Sequence, residues 1–124
     1  MNRTLHACIA ALVACSLPAG AANIDKDIPL GNFSEQDLKT FRAALDTALD
    51  KNKDGENLHW ANAQTKANGD VKPLKSFERG GLRCRTANIR NEANGRVASG
   101  PFTLCKSAEG KWVLSEPPKD AKKP

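Results

Sequence analysis

The chain has 124 residues and a mass of 13.3 kDa, which is the size of one small domain. Apolar residues make up 40% of it, charged residues make up 27%, and the formal net charge is +5, a composition typical of a soluble globular domain. Because the chain has only two histidines, the composition excludes a metal enzyme whose centre is built from several of them.

The first 21 residues have the pattern of a signal peptide. Arg3 supplies a positive charge, residues 5–17 are mostly apolar, and the small residues at 19–21 suit cleavage after Ala21 or Ala22. The apolar stretch is shorter than the roughly 20 residues that a membrane-spanning helix needs. We therefore expect an exported protein with no transmembrane span in its mature chain.

Residues 12–15, Leu-Val-Ala-Cys, offer an alternative because they resemble the lipobox of bacterial lipoproteins. In that case residues 1–14 are the signal, and Cys15 becomes the lipidated first residue of the mature protein. Both routes lead to the periplasm or the outer membrane, and both leave Cys84 and Cys105 as an even pair. Such a pair in an oxidising compartment predicts a disulfide.

An amphipathic helix is predicted from Ser34 to about Asp50, after a linker at residues 22–33. Ser34 is a favourable N-cap, and Asp37 follows three positions later, as in a capping box. Apolar residues then recur at three- and four-residue spacing, which places them in one stripe along the helix. The stripe consists of Leu38, Phe41, Leu45 and Leu49.

Beyond Gly55 the sequence changes to extended stretches separated by turn signals. We expect a domain at 34–115 followed by a disordered, proline-rich tail at 116–124. About four of the stretches are expected to form one antiparallel sheet, so the predicted fold class is α+β, one helix packed on a small sheet with one disulfide. The extended stretches are residues 58–60, 71–74, 82–92, 96–107 and 111–115, with a turn predicted at 67–70.

The central hairpin carries the strongest structural prediction. Asn94-Gly95 is a favoured two-residue turn, and with this turn Ala93 faces Arg96 while Cys84 faces Cys105. Nine steps from the hydrogen-bonded pair at the turn lead to a non-hydrogen-bonded pair, where Cα atoms approach to about 4.5 Å, within disulfide range. Pro101 is the residue that could shift this register, because it lacks an N–H and needs an edge or a bulge.

The same register assigns the two faces of the hairpin. Arg85, opposite Leu104, and Ile89 lie on the face that should receive the helix stripe. The other face carries Cys84, Thr86, Asn88, Arg90, Ser99 and Thr103, and we expect it to be polar and solvated.

Residues 50–55 match the beginning of an EF-hand calcium loop. Asp50, Asn52 and Asp54 stand at loop positions 1, 3 and 5, and Gly55 stands at position 6. Position 12 is Ala61, however, where the loop needs a bidentate glutamate, and no exit helix is predicted. Calcium binding is therefore an alternative, and the same residues also suit an ordinary helix end and turn.

Charge is divided unevenly along the mature chain. Residues 62–124 contain 13 basic and 6 acidic residues, whereas residues 22–61 contain 5 and 8. For an exported protein we expect no nucleic acid, and the expected partners are an envelope protein or an anionic lipid or polysaccharide surface. Burial in the hydrophobic core is the alternative role for both tryptophans. The candidate contact surface consists of Trp60, Arg83, Arg85, Arg90 and Trp112.

Catalysis has one candidate residue, His59, which is the only histidine after the signal peptide. No serine lies in a nucleophile-elbow or triad context. A histidine beside Trp60 more often packs than catalyses, so a small envelope hydrolase is a second alternative, and no cofactor is predicted.

The stretch from residue 38 to residue 112 resembles the bacterial surface-antigen domain family of the rickettsial outer-membrane antigen type. The resemblance implies a non-enzymatic envelope module of one helix and a small antiparallel sheet, often lipid-anchored, with no catalytic residues and no calcium ligands. The family's Gly-rich upstream segment is missing here. The matching elements are Ala44-Leu45-Asp46, Gly55, Trp60-Ala61-Asn62 (W-x-N), Gly69 to Pro73 (G-x-V-x-P), Cys84-Arg85, the Asn-Gly turn, Cys105 and Gly110-Lys111-Trp112.

Mass spectrometry of the exported protein tests the processing predictions. We expect a mature chain that begins after Ala21 or Ala22 and is two protons lighter than its reduced form, because Cys84 and Cys105 are joined. A mass that includes a lipid on Cys15 would select the lipoprotein route. Retention of residues 1–21 would show that the signal-peptide prediction is wrong.

Overall fold

The computed structural model describes residues 32–119, so the signal peptide, Cys15, most of the predicted linker and residues 120–124 of the predicted tail lie outside the described residues. One helix packs on a curled antiparallel sheet, and a disulfide joins Cys84 to Cys105, which confirms the α+β class. The strand order is β1-β2-β3-β4-β5. The elements are α1 (Glu35–Lys51), β1 (Leu58–Ala61), β2 (Asn68–Arg79), β3 (Leu82–Ala93), β4 (Arg96–Lys106) and β5 (Trp112–Ser115).

The first turn of α1 is held by the predicted capping box. The Asp37 N–H donates to Ser34 Oγ at 3.1 Å, and the Ser34 N–H donates to Asp37 Oδ2 at 3.0 Å. The apolar stripe faces the sheet, with Phe41, Leu45 and Leu49 buried in the core. Among residues 32–119, no helix has the length and apolar character needed to cross a membrane.

The sheet has five strands rather than the four expected, because all five of the predicted extended stretches pair. Residues 67–70 do not form the predicted turn. The turn between β1 and β2 lies earlier: the Asn62 N–H donates to the Ala67 carbonyl, and the Lys66 N–H donates to the Asn62 carbonyl, both at 2.8 Å. Lys66 takes the left-handed backbone conformation that the turn requires, with φ of 67°. Asn68 therefore already pairs with Ala61 of β1, and β2 is 12 residues long.

Strand β2 also continues past Pro73, although the sequence predicted only a short extended stretch at residues 71–74. The register shifts between Pro73 and Lys75, so that a bulge accommodates the proline. The strand then pairs with β3 as far as Arg79.

Gly69 allows the sheet to hold Trp60 at close range. A Cβ at position 69 would lie 2.5 Å from Trp60 Nε1, 2.5 Å from Asn91 Oδ1 and 2.3 Å from the Arg90 carbonyl oxygen. The glycine that suggested a turn in the sequence is therefore required by close packing inside a strand.

The central hairpin forms as predicted. Asn94 and Gly95 have φ values of 52° and 75°, as a type I′ turn requires, and the register runs unbroken from Ala93–Arg96 to Cys84–Cys105. The Cα atoms of the two cysteines are 4.0 Å apart. Pro101 causes no shift, because it occupies a non-hydrogen-bonded position opposite Asn88 and β5 pairs only with Thr103–Lys106 of β4.

The face of the sheet turned away from α1 is less solvated than predicted. Cys84, Thr103 and Cys105 are all buried there. The register places Phe77, Cys84, Cys105 and Val113 in one row across four strands, and the half-buried Phe77 and Val113 flank the disulfide. Apolar neighbours on the curled sheet thus shield the sulfurs without a covering helix.

Replacing Gly69 tests the close packing around Trp60. We expect Gly69→Ala to lower the free energy of unfolding by about 1–3 kcal/mol, because the added methyl group must displace backbone and an indole ring. Urea unfolding followed by tryptophan fluorescence measures the change.

Gly100→Ala is the matched control, since a Cβ there meets only Phe102 Cε2 at 3.8 Å. It should leave stability unchanged or raise it by several tenths of a kcal/mol. Equal losses in the two variants would contradict the packing explanation.

Candidate functional site

The two tryptophans of the predicted contact surface are both buried and lie in different parts of the molecule. Trp60 is 5% exposed and packs against Phe33 and Phe41, with ring centroids 5.4 and 6.0 Å away. Trp112 is 7% exposed and donates its indole N–H to Asp50 Oδ1 at 3.0 Å. Trp60 therefore belongs to the core, whereas one side of Trp112 meets charged groups.

Arg85 does not lie on a contact surface, which corrects its inclusion there. Its side chain is 2% exposed, and Nη1 donates to the Leu49 carbonyl at 2.7 Å and to the Ala48 carbonyl at 3.3 Å. These carbonyls belong to the last turn of α1, which has no intrahelical donors for them and carries partial negative charge. The guanidinium therefore fastens the end of the helix to β3.

Asp54 completes the environment of Arg85. Its Oδ1 accepts from Arg85 Nη2 and from Ser76 Oγ, both at 2.9 Å. These hydrogen bonds, from Arg85 foremost, lower the pKa of Asp54 below its ordinary value. Because the folded-state pKa is the lower one, ionised Asp54 stabilises the fold above its unfolded pKa, and this contribution is lost as pH falls through the folded pKa.

The calcium alternative is not supported by the positions of its three residues. Asp50 binds Lys106 and Trp112, Asp54 binds Arg85, and the Asn52 amide donates to the Glu56 carbonyl at 3.2 Å. The two carboxylates thus bind different cations of the protein. Within residues 32–119, no group of three or more histidine, cysteine or acidic residues is placed to hold a metal ion.

Arg90 lies on the face away from α1, where acidic residues pair with it. Its Nη2 is 2.8 Å from Glu92 Oε2, and its Nη1 is 3.6 Å from Asp70 Oδ2. Asp70 also contacts His59 Nδ1 at 3.0 Å. Burial alone would raise the pKa of Asp70, but hydrogen bonds from Asn57 and His59 outweigh it and lower that pKa. Arg90 is therefore already neutralised by the protein.

His59 is exposed rather than packed against the helix, so its position leaves the hydrolase alternative without a supporting feature. Its side chain is 57% exposed, and its hydrogen-bond partner in the described part of the chain is Asp70. No serine or threonine hydroxyl in that part is hydrogen-bonded to the ring, as a nucleophile–base pair would require.

A charged cluster surrounds Trp112 where α1 ends beside β4 and β5. We call Arg83, Lys106, Lys111, Trp112 and Asp50 the Trp112 cluster. The Arg83 guanidinium and the Lys106 ammonium each lie 5.9 Å from the Trp112 ring centroid, at cation–π distance. Lys106 Nζ also donates to Asp50 Oδ1 at 2.9 Å, and this hydrogen bond is the main reason for the lowered pKa of Asp50.

The cluster borders a cleft of about 230 Å³ between the helix and the β4–β5 turn. Asp46 lines the helix side of it, and burial, followed by repulsion from Asp50, raises the Asp46 pKa. Lys111 lines the opposite side and is exposed. Arg83 and Lys111 are therefore exposed beside Trp112, where an anion can reach them.

Sequence reasoning found Arg83 and Trp112, assigned Asp50 to a calcium loop instead, and missed Lys106, Lys111 and Asp46. Asp46 and Asp50 are one helical turn apart, so their common face was readable from the sequence. The pairing of Lys106 with Trp112 was readable only from the register of the short strand β5.

No protein-family model, no curated protein and no solved structure matches the chain. The surface-antigen resemblance therefore remains a prediction.

Replacing Arg85 tests its role as a fastener between helix and sheet. We expect Arg85→Leu to lower the free energy of unfolding by about 2–3 kcal/mol, because two buried helix carbonyls lose their donor, whereas the 44% exposed Asp54 keeps its hydrogen bond from Ser76 and can be solvated. Thermal and urea unfolding measure the loss. The partly exposed Arg90 is the control, and Arg90→Leu should cost no more than about 1 kcal/mol. Equal losses of stability in the two variants would show that the buried hydrogen bonds of Arg85 contribute no more to stability than the partly exposed ion pairs of Arg90.

Proposed function

We propose that the chain is an exported, non-enzymatic module of the bacterial cell envelope that binds phosphate-bearing surfaces through the Trp112 cluster. The N-terminal sequence supports export, and the disulfide suits an oxidising compartment such as the periplasm. The resemblance to the surface-antigen family supports the same location.

The excess of exposed cations beside Trp112 carries the proposal. Of the three basic residues, Lys106 is paired with Asp50, whereas Arg83 and Lys111 make no ion pair with another described residue. Arg83 is held over the indole ring, so its planar guanidinium is oriented before a ligand arrives. Arginine in this state suits bidentate hydrogen bonding to phosphate oxygens.

Phospholipid head groups and the lipid A portion of lipopolysaccharide both present phosphate at an envelope surface. The cleft beside Trp112 is about 230 Å³, below the roughly 300–1,000 Å³ of typical small-molecule sites, which fits contact with a surface better than enclosure of a free small molecule. Calcium binding and hydrolysis receive no such support, because Asp50 and Asp54 bind cations of the protein and His59 pairs with Asp70 among residues 32–119.

Vesicle binding tests this function. The protein should bind vesicles of mixed phosphatidylglycerol and phosphatidylcholine, and bind phosphatidylcholine alone at least tenfold more weakly, with affinity falling as salt rises. Replacing Arg83 and Lys111 together by glutamine should weaken binding roughly thirtyfold, from about 1 kcal/mol for each charge. A parallel titration with lipopolysaccharide micelles identifies which phosphate source is preferred.

The matched control replaces Lys72 and Lys75, two exposed lysines on the face away from α1, by glutamine. The net charge change is the same, and binding should change by less than about threefold because these lysines face away from the membrane. An equal loss in both double variants would mean that net charge, rather than the Trp112 cluster, drives binding. Absence of binding to both phosphate surfaces would overturn the proposal.

A further inference from the structure

The cleft beside Trp112 contains a negative charge that works against the phosphate binding proposed above. Asp46 lines the helix side of this cleft, and Lys111 and Trp112 line the opposite side. An anion that binds Lys111 within the cleft therefore also approaches the Asp46 carboxylate, and the two like charges repel each other. Because both charges share one cleft of about 230 Å³, dissolved salt screens their repulsion only in part.

Asp46 and Asp50 are one helical turn apart, but their charges are compensated differently. Asp50 Oδ1 accepts from Lys106 Nζ at 2.9 Å and from the Trp112 indole N–H at 3.0 Å, and these hydrogen bonds, from Lys106 foremost, lower the pKa of Asp50. Asp46 accepts from neither of these donors. The charge of Asp50 is thus matched inside the Trp112 cluster, whereas Asp46 adds its charge to the cleft.

The surroundings of Asp46 favour its neutral form more than water does. Burial raises the pKa of Asp46, repulsion from Asp50 raises it further, and attraction by Lys106 and Arg42 does not reverse the shift. The neutral form therefore becomes populated at a higher pH than in an ordinary aspartate. The charged groups around Asp46 and Trp112 are Arg42 and Asp50 of α1, Arg83 of β3, Lys106 of β4 and Lys111 of the β4–β5 turn.

We propose that Asp46 regulates the phosphate site, because its ionised carboxylate weakens binding to a phosphate-bearing membrane near neutral pH and its protonation strengthens that binding. This inference rests on the proposed function, since it concerns the strength of the same contact. Protonation removes one negative charge from the cleft and leaves Arg83 and Lys111 charged, so affinity rises as pH falls through the pKa of Asp46. By reciprocity, a bound phosphate raises that pKa.

The membrane itself changes the charge of Asp46. An anionic surface of physiological composition concentrates protons roughly threefold, so the local pH lies about half a unit below that of the solution. A carboxylate brought to such a surface is therefore protonated more readily than one that meets a soluble phosphate. Asp46 thus gives the Trp112 cluster a preference for anionic bilayers over free phosphate compounds.

Vesicle binding by Asp46→Asn tests the proposal on the full mature chain. Asparagine keeps the size of the side chain and represents its neutral form, and the variant should be at least as stable as the unsubstituted protein because the fold favours that form. At about pH 7.5, the variant should bind mixed phosphatidylglycerol and phosphatidylcholine vesicles about fivefold more tightly, as expected for removal of one like charge.

The same comparison at lower pH separates protonation from a constant effect of the substitution. At about pH 4.5, the affinities of the two proteins should differ by less than about twofold, because Asp46 of the unsubstituted protein is then increasingly neutral. The phosphodiester of phosphatidylglycerol stays ionised over this range. Both proteins contain His59, so its change of charge cancels from the ratio. A ratio that stays near fivefold at both pH values, or equal affinities at both, would overturn the proposal.

Glu35→Gln is the matched control, because it removes one negative charge at the other end of α1. Glu35 is exposed and lies about 16 Å along the helix from Asp46, beyond the Debye length of about 8 Å at physiological salt. This variant should change vesicle affinity by less than about twofold. Equal gains in Glu35→Gln and Asp46→Asn would assign the effect to net charge and contradict the role of Asp46.

Carbon-13 NMR of the side-chain carboxyl groups gives a result that does not depend on membrane binding. In the vesicle-free protein, Asp46 should titrate at a higher pH than Asp50 and Asp54, whose pKa values are lowered. Titration of Asp46 together with these residues, or below them, would overturn the inference even where vesicles bind. Absence of vesicle binding at every pH would overturn the proposed function and this inference together, whereas binding that ignores Asp46 would overturn this inference alone.

Discussion

The burial of the Arg85 guanidinium is the constraint on which the rest of the structure depends. An arginine can lie at the centre of a small core only if hydrogen bonds satisfy its charge, and here the last turn of α1 and Asp54 supply the acceptors. Asp37 has the same role at the other end of the helix, where Asn62 and Thr65 donate to its Oδ1 at 2.7 and 2.6 Å. Although burial alone would raise the pKa of Asp37, the hydrogen bonds lower it, so both ends of α1 are fastened by ionised side chains.

Because both ends of α1 are held by these hydrogen bonds, the helix position determines which side chains come together at each end of the sheet. At the Arg85 end, α1 brings Asp50 beside Trp112 and Lys106, and basic groups accumulate around an indole. At the Asp37 end, the segment before the helix brings Phe33 over Trp60 and leaves a cavity against the hairpin. One helix position thus creates a charged surface at one end and a lined cavity at the other.

Local signals made the helix and the hairpin predictable, whereas contacts between distant residues decided the rest. The capping box at Ser34 and the turn at Asn94-Gly95 are encoded by neighbouring residues, so the register that joins the cysteines followed from the sequence. Gly69 looked like part of a turn because its true reason, the approach of Trp60, depends on a strand pairing that had not been assigned. Arg85 was placed both on the helix face and among the contact residues, since a sequence shows charge but not its partners.

The buried polar groups of the core differ in how completely hydrogen bonds satisfy them. Asp37 accepts from Ser34, Asn62 and Thr65, and Arg85 donates to two helix carbonyls and to Asp54, although its Nε has no partner. Asn91 is neutral, but both of its amide atoms lack partners, and Gly69 is the residue that leaves room beside it. Gly69 therefore brings the Trp60 indole N–H and the Asn91 amide to the same point of the core, where neither has a hydrogen-bond partner among the described residues.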